Sequence, residues 1–310
     1  MTRQFIQIIL KFICLKNQFF VTTTDPSRDN EVKNMIGNEL VKRIMKAFRD
    51  KKKFRVYVVL PLLPGFDNAN AIQAVQYYNL RSIINGQFSI YQELKNQGLE
   101  DPFEYITFYG MRNWAVLMGR LVQEIIYVHS KLMIVDDKYV ICGSANINDR
   151  SLLGKRDSEV AAVVKDEEFF ESVLGGQKVM VGKYANSLRK KIFKLHLGIY
   201  FNNPNKIDVQ DCVCDQFYDY FRSVSAQNTQ TYDDVFKCLP CDNITNFEIL
   251  ATYGDQKCLS KSDPKRGKKE LEEKVNGFVV NFPLKFLCRE KNFFPDMRTP
   301  EGLVPIAMWT

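Results

Sequence analysis

The sequence predicts an α/β fold in which helices pack against a β-sheet, and two observations support this. From residue 36 to residue 48, apolar side chains recur at every fourth position, which is the spacing of an amphipathic helix. Residues 56–60 and 105–109 are continuous apolar runs rich in β-branched and aromatic residues, as in strands that are covered on both faces. Helices that alternate with buried strands are typical of layered α/β proteins.

Further elements are predicted along the second half of the chain. Residues 125–142 indicate a β-hairpin whose turn lies at residues 136–138, and residues 159–164 indicate another strand. Residues 184–195 have helical spacing, with Gly198 in the position of a carboxyl-terminal cap. Beyond residue 200 the pattern is irregular and rich in aromatic residues and lysine, which suggests an extension packed on the α/β body.

Composition sets broad limits on function. The chain has 310 residues, of which 45% are hydrophobic and 25% charged, so one or two ordinary globular domains are expected. The net charge of +7 favours anionic partners, and the alternative is an ordinary surface with a slight excess of lysine. The eight cysteines are dispersed, which favours reduced thiols, and Cys238 and Cys241 lack the further ligands that a zinc site needs.

The first twenty residues combine a basic residue with an apolar run. Gln7 and Lys11 interrupt the run, and no cleavage site for a signal peptide follows. The run is also too short and too polar to span a bilayer. We therefore expect a buried strand or helix here, or a start created by truncation.

The chemistry is concentrated in residues 129–146. His129 and Lys131 lie two positions apart on a predicted strand, so both side chains are expected on one face. After the hairpin, Ser144 and Asn146 return a hydroxyl and an amide toward them, and Gly143 permits a close backbone approach. This set suits a tetrahedral phosphate, with Lys131 and Asn146 binding its oxygens while His129 attacks phosphorus.

The spacing H-x-K-x4-D-x6-G-S-x-N resembles the HKD motif of the phospholipase D superfamily. The segments QEIIYVHSK, GSANINDRS and LGKRDSE are similar to the second HKD region of eukaryotic phosphatidylcholine-hydrolysing phospholipases D. The segments NQFF and VYVVLPLLPGF and the final residues MWT are similar as well, so the resemblance runs from about residue 17 to Thr310.

The resemblance implies a fold and a division of the chain. We expect a phospholipase D-type mixed sheet flanked by helices, followed by an irregular carboxyl-terminal extension. Residues 1–16 would be a non-homologous or truncated start. Residues 17–200 would form a catalytic half-domain with one HKD motif, and residues 201–310 an extension packed on it.

The resemblance also assigns roles to the site residues. His129 matches the motif histidine, Lys131 and Asn146 match the phosphate ligands, and Ser144 supports the site. Asp136 belongs to the motif, but its place at the hairpin turn suggests a structural role. Glu159 matches the acidic residue that holds the second ring nitrogen of the histidine, although an ordinary ion pair with Lys155 or Arg156 is the alternative.

The implied activity is hydrolysis of phosphatidylcholine to phosphatidic acid and choline through a phosphohistidine, with no metal or other cofactor. Displacement at phosphorus needs two histidines, and this sequence has only His129 and His196. Gly198 stands where a second motif would need lysine, so His196 is expected to be structural or on the surface. The chain therefore supplies half of a site, completed in a homodimer or by a separate first-HKD half. Alternatively, it is an inactive form that binds anionic lipid or a partner and regulates it.

Basic residues between positions 43 and 55 predict contact with a membrane. The segment resembles a phosphoinositide-responsive region of the family, in which Arg43 and Arg55 match basic positions. The predicted lipid-binding residues are Arg43, Lys46, Lys51, Lys52, Lys53 and Arg55. A solvated helix end is the alternative. We expect a cytoplasmic protein, peripheral on the cytosolic face of membranes, activated by phosphoinositide and binding no nucleic acid.

Overall fold

The computed structural model describes residues 9–27, 31–304 and 308–310. Within these residues, a mixed sheet of eight strands forms the centre, and a separate two-stranded hairpin lies outside it. The strands are β1 Phe12–Lys16, β2 Arg55–Val59, β3 Ile106–Leu117, β4 Arg120–Ile125, β5 Lys131–Val135, β6 Tyr139–Gly143, β7 Ala161–Lys165, β8 Phe169–Leu174, β9 Gln177–Gly182 and β10 Val279–Asn281.

Helices pack on both faces of the large sheet. They are α1 Ile36–Arg49, α2 Ala69–Leu80, α3 Ile90–Asn96, α4 Asp149–Leu152, α5 Lys183–His196, α6 Asp215–Phe236, α7 Phe247–Tyr253, α8 Leu259–Ser262, α9 Pro264–Lys274 and α10 Pro300–Leu303. A π-helical turn at Arg81–Asn85 continues α2, and a 3-10 turn at Pro102–Glu104 precedes β3. The predicted α/β fold, a mixed sheet flanked by helices, is confirmed.

The strand directions decide where loops meet. The order in the sheet is β10-β3-β2-β1-β5-β6-β7, and β4 pairs with β3. Strands β1, β2 and β3 are mutually parallel, whereas β5 is antiparallel to β1. The carboxyl ends of β1 and β2 therefore lie at the same end of the sheet as the amino end of β5. We call this the site end of the sheet.

The core occupies both faces of the sheet. In β1, Ile13 and Leu15 join the apolar cluster that includes α1, whereas Phe12 and Cys14 join the cluster that includes α5 and α6. Every residue of β2 is buried, which explains the continuous apolar run from Val56 to Val59. The strands are thus held between two helical layers by burial of apolar surface on each side.

Several predicted elements are confirmed. The periodic segments 36–48 and 184–195 form α1 and α5, and residues 56–60 coincide with β2 within one residue. Gly198 follows the cap residue of α5 with a φ of 72°, the left-handed conformation that glycine adopts at helix ends. The segment 105–109 lies at the start of β3, which continues to Leu117.

The prediction of a single strand from residue 125 is wrong. Ile125 ends β4, which pairs with β3, and residues 126–130 are irregular before β5 begins at Lys131. A continuous apolar run cannot reveal whether one strand or two are present, because buried loop residues such as Val128 are equally apolar. His129 therefore precedes the strand instead of lying on it.

The prediction of an irregular extension is also wrong, since much of it is helical. The 22-residue α6 buries Phe217, Phe221, Val224, Asn228 and Tyr232, which recur every three or four positions. Polar residues such as Asn228 on this buried face weaken the apolar pattern, although the helical spacing is visible in the sequence. The lysine-rich α9 carries ion pairs four residues apart along its exposed surface.

The sheet crosses the predicted divisions at residues 16 and 200. β1 lies before residue 17, yet it pairs with both β2 and β5 near the centre of the sheet. β10 lies in the predicted extension, yet it pairs with β3. Both segments therefore contribute strands to the body and are not confined to its outside.

Two aspartates anchor the turn between β5 and β6. Asp136 and Asp137 both have positive φ, 50° and 52°, as in a tight hairpin turn of the primed type. The buried Asp137 carboxylate lies 2.6 Å from a guanidinium nitrogen of Arg189 and also accepts from Asn186 at 2.6 Å. Because Arg189 and Asn186 lie on α5, this ion pair ties the turn to that helix.

The change Arg189→Met tests this anchor. It leaves the buried Asp137 carboxylate without its cation, so we expect the free energy of unfolding to fall by about 3–5 kcal/mol. Urea unfolding measures the change. Lys183→Met, which removes the exposed pair of Lys183 with Glu168, is the matched control and should have little effect. Similarly small effects of the two changes would contradict the anchoring role.

Candidate active site

The predicted site residues converge at the site end of the sheet. Lys131 is the first residue of β5 and pairs in register with Gly143, the last residue of β6. The hairpin therefore brings the loop after Gly143, with Ser144 and Asn146, back beside Lys131. A cavity of about 540 Å³ opens here, and Lys131, Asn146 and Glu159 are among its lining residues.

The Lys131 ammonium is held in place by two acceptors. Its Nζ lies 2.8 Å from Oε1 of Gln18, which follows β1, and 2.7 Å from the backbone oxygen of His129. The residue is only 9% exposed. Burial lowers the pKa of Lys131, and the nearby charge of Glu159 opposes that shift. A fixed, partly desolvated cation interacts more strongly with an anion than one in water does.

His129 lies in the irregular segment before β5, and its side chain is exposed. Its ring stacks beside that of Tyr127, with 6.3 Å between the ring centroids and 27° between the planes. The imidazole is therefore accessible from solvent at the site end of the sheet. His129 does not line the cavity itself, and its backbone oxygen is what joins it to Lys131.

The backbone at Gly143 approaches the neighbouring strand closely, as predicted. A Cβ at Gly143 would lie 2.4 Å from the backbone oxygen of Val160 and 2.7 Å from Cα of Ala161, so no other residue fits without a shift. The backbone N–H of Asn146 donates to Oγ of Ser151 at 3.0 Å. The Asn146 side-chain oxygen is buried without a hydrogen-bond partner among the described residues. Because this oxygen accepts and does not donate, it marks a place for a hydrogen-bond donor, and only the side-chain N–H groups of Asn146 could bind a phosphate oxygen.

Glu159 has partners other than the predicted one. One carboxylate oxygen accepts from the hydroxyl of Ser144 and the other from Ser151 at 2.6 Å. Within the described residues no hydrogen bond joins Glu159 to His129, and no ion pair joins it to Lys155 or Arg156. Glu159 instead organises the loop that carries Asn146, and it influences Lys131 through its charge.

Asp136 lies at the opposite end of β5 from Lys131, roughly 16 Å away at the rise of a strand. Its carboxylate accepts from the backbone N–H groups of Leu10, Lys11 and Phe12 at 2.6, 2.7 and 2.9 Å. Burial raises the pKa of Asp136, and the three N–H donors oppose that shift. The motif aspartate therefore secures the start of β1 and lies at the far end of β5 from the cavity that Lys131 lines.

Two further residues at this site, Gln18 and Ser151, lie outside the predicted set. Gln18 lies in the NQFF segment and Ser151 in GSANINDRS, both of which carried the resemblance. Gln18 binds Lys131 across 113 residues of chain, and Ser151 binds Glu159. Because both residues lie in segments that resemble the family, the sequence could have marked them as candidates, but it does not indicate which residues they contact.

Comparison with known proteins identifies the family. The family model described as Phospholipase D matches residues 4–120 and 116–241. Phospholipase D1 of Homo sapiens is 44% identical over 306 residues, which cover 96% of this chain and 28% of that protein. Phospholipase D2 of Bos taurus is 39% identical over 305 residues, covering 96% of this chain and 32% of that protein.

The chain belongs to the phospholipase D family. It spans about 28% of the length of Phospholipase D1 of Homo sapiens. Two solved bacterial structures are also similar. They are the phospholipase D family member Nuc from Salmonella typhimurium (17% identity, TM-score 0.29, 60% of this chain and 78% of that one) and NucT from Helicobacter pylori (12% identity, TM-score 0.28, 52% and 72%).

Two of the residues predicted to bind lipid are buried in this phospholipase D family chain. Arg43 donates to the backbone oxygens of Ile9 and Leu10 and lies 4.3 Å above the ring of Phe54. Its burial lowers the pKa of its guanidinium. Arg43 thus supports the core and does not present a charge to a membrane.

Arg55 is buried in the same way. It donates to the backbone oxygen of Glu104, pairs with Asp215 at 2.6 Å and lies 4.4 Å above the ring of Tyr218. The patch predicted from the sequence therefore shrinks to exposed lysines, namely Lys46, Lys51, Lys52 and Lys53. Of these, Lys46 pairs with Asp50 and Lys53 with Asp215.

The second histidine is structural. His196 is 3% exposed, at the end of α5, with its ring near Phe193 and Phe221. Neither ring nitrogen has a hydrogen-bond partner in the described part of the chain. Burial lowers the pKa of His196 to about 3. His196 therefore stays neutral at physiological pH and does not reach the site.

Across the described residues, no helix has both the length and the apolar character needed to cross a membrane.

The change His196→Leu tests the burial of this imidazole. Because the folded pKa is about 3 and the ordinary value is 6.5, the unfolded protein takes up a proton between these pH values that the folded protein excludes. The parent should therefore lose stability as the pH falls through this window. The variant should show a slope smaller by up to about 1.4 kcal/mol per pH unit, measured by urea unfolding. Identical slopes would contradict a buried, neutral His196.

Proposed function

We propose that this chain supplies one half of a phospholipase D active site that hydrolyses phosphatidylcholine to phosphatidic acid and choline. Support comes above all from the juxtaposition of Lys131 and Asn146. Both line one cavity, Lys131 as a fixed cation and Asn146 as a side-chain amide that can donate through its N–H groups, and the exposed His129 lies beside Lys131. The names of the relatives agree with the reaction class.

In the proposed reaction, a ring nitrogen of His129 attacks phosphorus and forms a P–N bond. The P–O bond to choline breaks, and a second histidine outside this chain protonates the choline oxygen. That histidine then removes a proton from water, whose oxygen attacks phosphorus and displaces His129. Phosphatidic acid is released and both histidines return to their starting states.

The site residues would stabilise the charge that develops in this reaction. Lys131 and Asn146 would bind the non-bridging oxygens, together with a matching pair from the other half of the site. Such preorganised donors take the role that a metal ion plays in other phosphodiesterases, and we propose that no metal or cofactor is required. Glu159 would act indirectly, by holding the Asn146 loop through Ser151.

We propose that the missing half docks along β7. This strand ends the sheet order, and in the described part of the chain it pairs only with β6. All five of its residues are exposed, including Val163 and Val164, and the adjoining Val160 is 80% exposed. An apolar edge strand beside an incomplete site favours a partner there, either a second copy or a separate first-HKD half.

Membrane association is the remaining part of the proposal. We propose that the protein acts peripherally on the cytosolic face of membranes, with phosphoinositide as an activator. Lys46, Lys51, Lys52 and Lys53 would contact the anionic surface. Of the four, Lys51 and Lys52 form no ion pair with the described residues, so their charges are the most available.

The half-site proposal predicts how turnover depends on assembly. Choline release from phosphatidylcholine vesicles is measured over a range of protein concentrations, with the mass in solution determined at each one. We expect no turnover from the monomer, because the acid for the leaving group is missing, a loss of about 100- to 10,000-fold. If the homodimer is the active form, activity rises with the square of protein concentration at low concentration.

His129→Asn is the control variant, and it should lower any turnover at least about 100-fold while leaving the fold intact. Turnover by a species shown to be monomeric would overturn the half-site proposal. A chain that binds anionic vesicles but lacks turnover in every assembly, also with a first-HKD half added, would favour the regulatory alternative.

The lysine patch makes a separate prediction. At about 1 kcal/mol per lysine near an anionic surface, the double change Lys51→Gln, Lys52→Gln should weaken binding to phosphoinositide vesicles by about 30-fold. Vesicle sedimentation at low and moderate salt measures it. Lys268→Gln with Lys269→Gln on α9 removes the same charge elsewhere. An equal loss in this control would show that only net charge matters.

A further inference from the structure

A chain of hydrogen bonds joins three loops at the site end of the sheet. Gln18 follows β1, Gly65 lies in the loop after β2, and Tyr127 precedes β5. Lys131 binds Gln18 at 2.8 Å, Gln18 binds the Tyr127 hydroxyl at 2.9 Å, and the backbone N–H of Gly65 reaches the same hydroxyl at 3.2 Å. Tyr127 is therefore linked to the phosphate site through Gln18.

The direction of each hydrogen bond follows from its donors. The Lys131 ammonium only donates, so the Gln18 atom that faces it must be the oxygen. The Gln18 nitrogen then faces the Tyr127 hydroxyl and donates to it. The N–H of Gly65 donates to the same oxygen. Both contacts use the acceptor capacity of the phenol, so neither uses its proton.

That proton has no acceptor among the described residues, and it is accessible. Tyr127 is 38% exposed, and its ring stacks beside the exposed imidazole of His129. An O–H whose oxygen is already fixed by two N–H donors is oriented to donate away from them. The neighbours of the phenol are the imidazole that would attack phosphorus and, through Gln18, the cation that would bind the phosphate.

Gly65 shows that the position of the phenol is closely defined. A Cβ at residue 65 would lie 2.8 Å from Cζ of Tyr127 and 3.0 Å from its hydroxyl oxygen. Only glycine lets the backbone N–H approach the phenol this closely. Two loops thus hold the hydroxyl in place.

We propose that the Tyr127 hydroxyl is a further donor of this site and binds an oxygen of the tetrahedral phosphate held by Lys131 and His129. The inference rests on the proposed function, because it requires a phosphate at these residues. It adds a neutral donor to the cation of Lys131 and the amide of Asn146. The alternative role for Tyr127 is purely positional, as an acceptor that orients Gln18.

Binding of inorganic phosphate to the full chain tests the proposal, with the imidazole NMR signals of His129 as the readout. The chain has two histidines, and His196 is buried away from the site, so the His129 signals are readily assigned. We expect Tyr127→Phe, which keeps the ring, to weaken phosphate binding by about 10-fold or more. Tyr184→Phe, at an exposed tyrosine on α5, is the control and should bind like the parent.

Replacing Tyr127 with 3-fluorotyrosine separates the two roles, at a pH where the phenol keeps its proton. Fluorination makes the hydroxyl a stronger donor and a weaker acceptor, so phosphate binding should strengthen if Tyr127 donates to phosphate. Weaker binding, or equal affinity of the Tyr127→Phe variant and the parent, would overturn the Tyr127 assignment alone. If the His129 signals of the parent do not shift when phosphate is added, the proposed function is overturned as well.

Discussion

The turn between β5 and β6 is the constraint on which the rest of the structure depends. Asp136 and Asp137 both have buried carboxylates, which bind different parts of the chain. Asp136 accepts hydrogen bonds from the N–H groups at the start of β1, and Asp137 accepts them from Arg189 and Asn186 of α5. Two adjacent residues therefore join the central strand, the hairpin and a covering helix, and the N–H donors to Asp136 and the Arg189 cation oppose the cost of burying their charges.

This anchoring explains how a turn remote from the chemistry can belong to a catalytic motif. Once the turn is attached to β1, the register of β5 against β1 and β6 is set, since a slip of one residue would reverse every side chain. That register places Lys131 opposite Gly143 at the other end. Lys131 can then be bound by Gln18, and the loop with Asn146 can approach it.

Some side chains of the site are held by hydrogen bonds, whereas others have no partner in the described part of the chain and could contact a ligand. Lys131, Gln18 and Glu159 are each held by at least one partner, whereas neither the buried side-chain oxygen of Asn146 nor the His129 ring has a hydrogen bond within the described residues. A phosphate ligand would therefore meet a fixed cation with the exposed imidazole beside it. Preorganisation of this kind lowers the cost of arranging groups around an anion.

The sequence alone determined the elements that local spacing specifies, and it identified the residues of the motif. The amphipathic period of α1, the apolar run of β2 and the spacing from His129 to Asn146 each depend on neighbours in the chain. The tertiary structure decided what lies across long separations. It buried Arg55 against Asp215, 160 residues away, and joined Gln18 to Lys131 across 113 residues. In the structure, Glu159 accepts hydrogen bonds from Ser144 and Ser151 and none from His129. Such partners depend on how whole strands and loops pack, and the spacing of residues along the chain does not specify that packing.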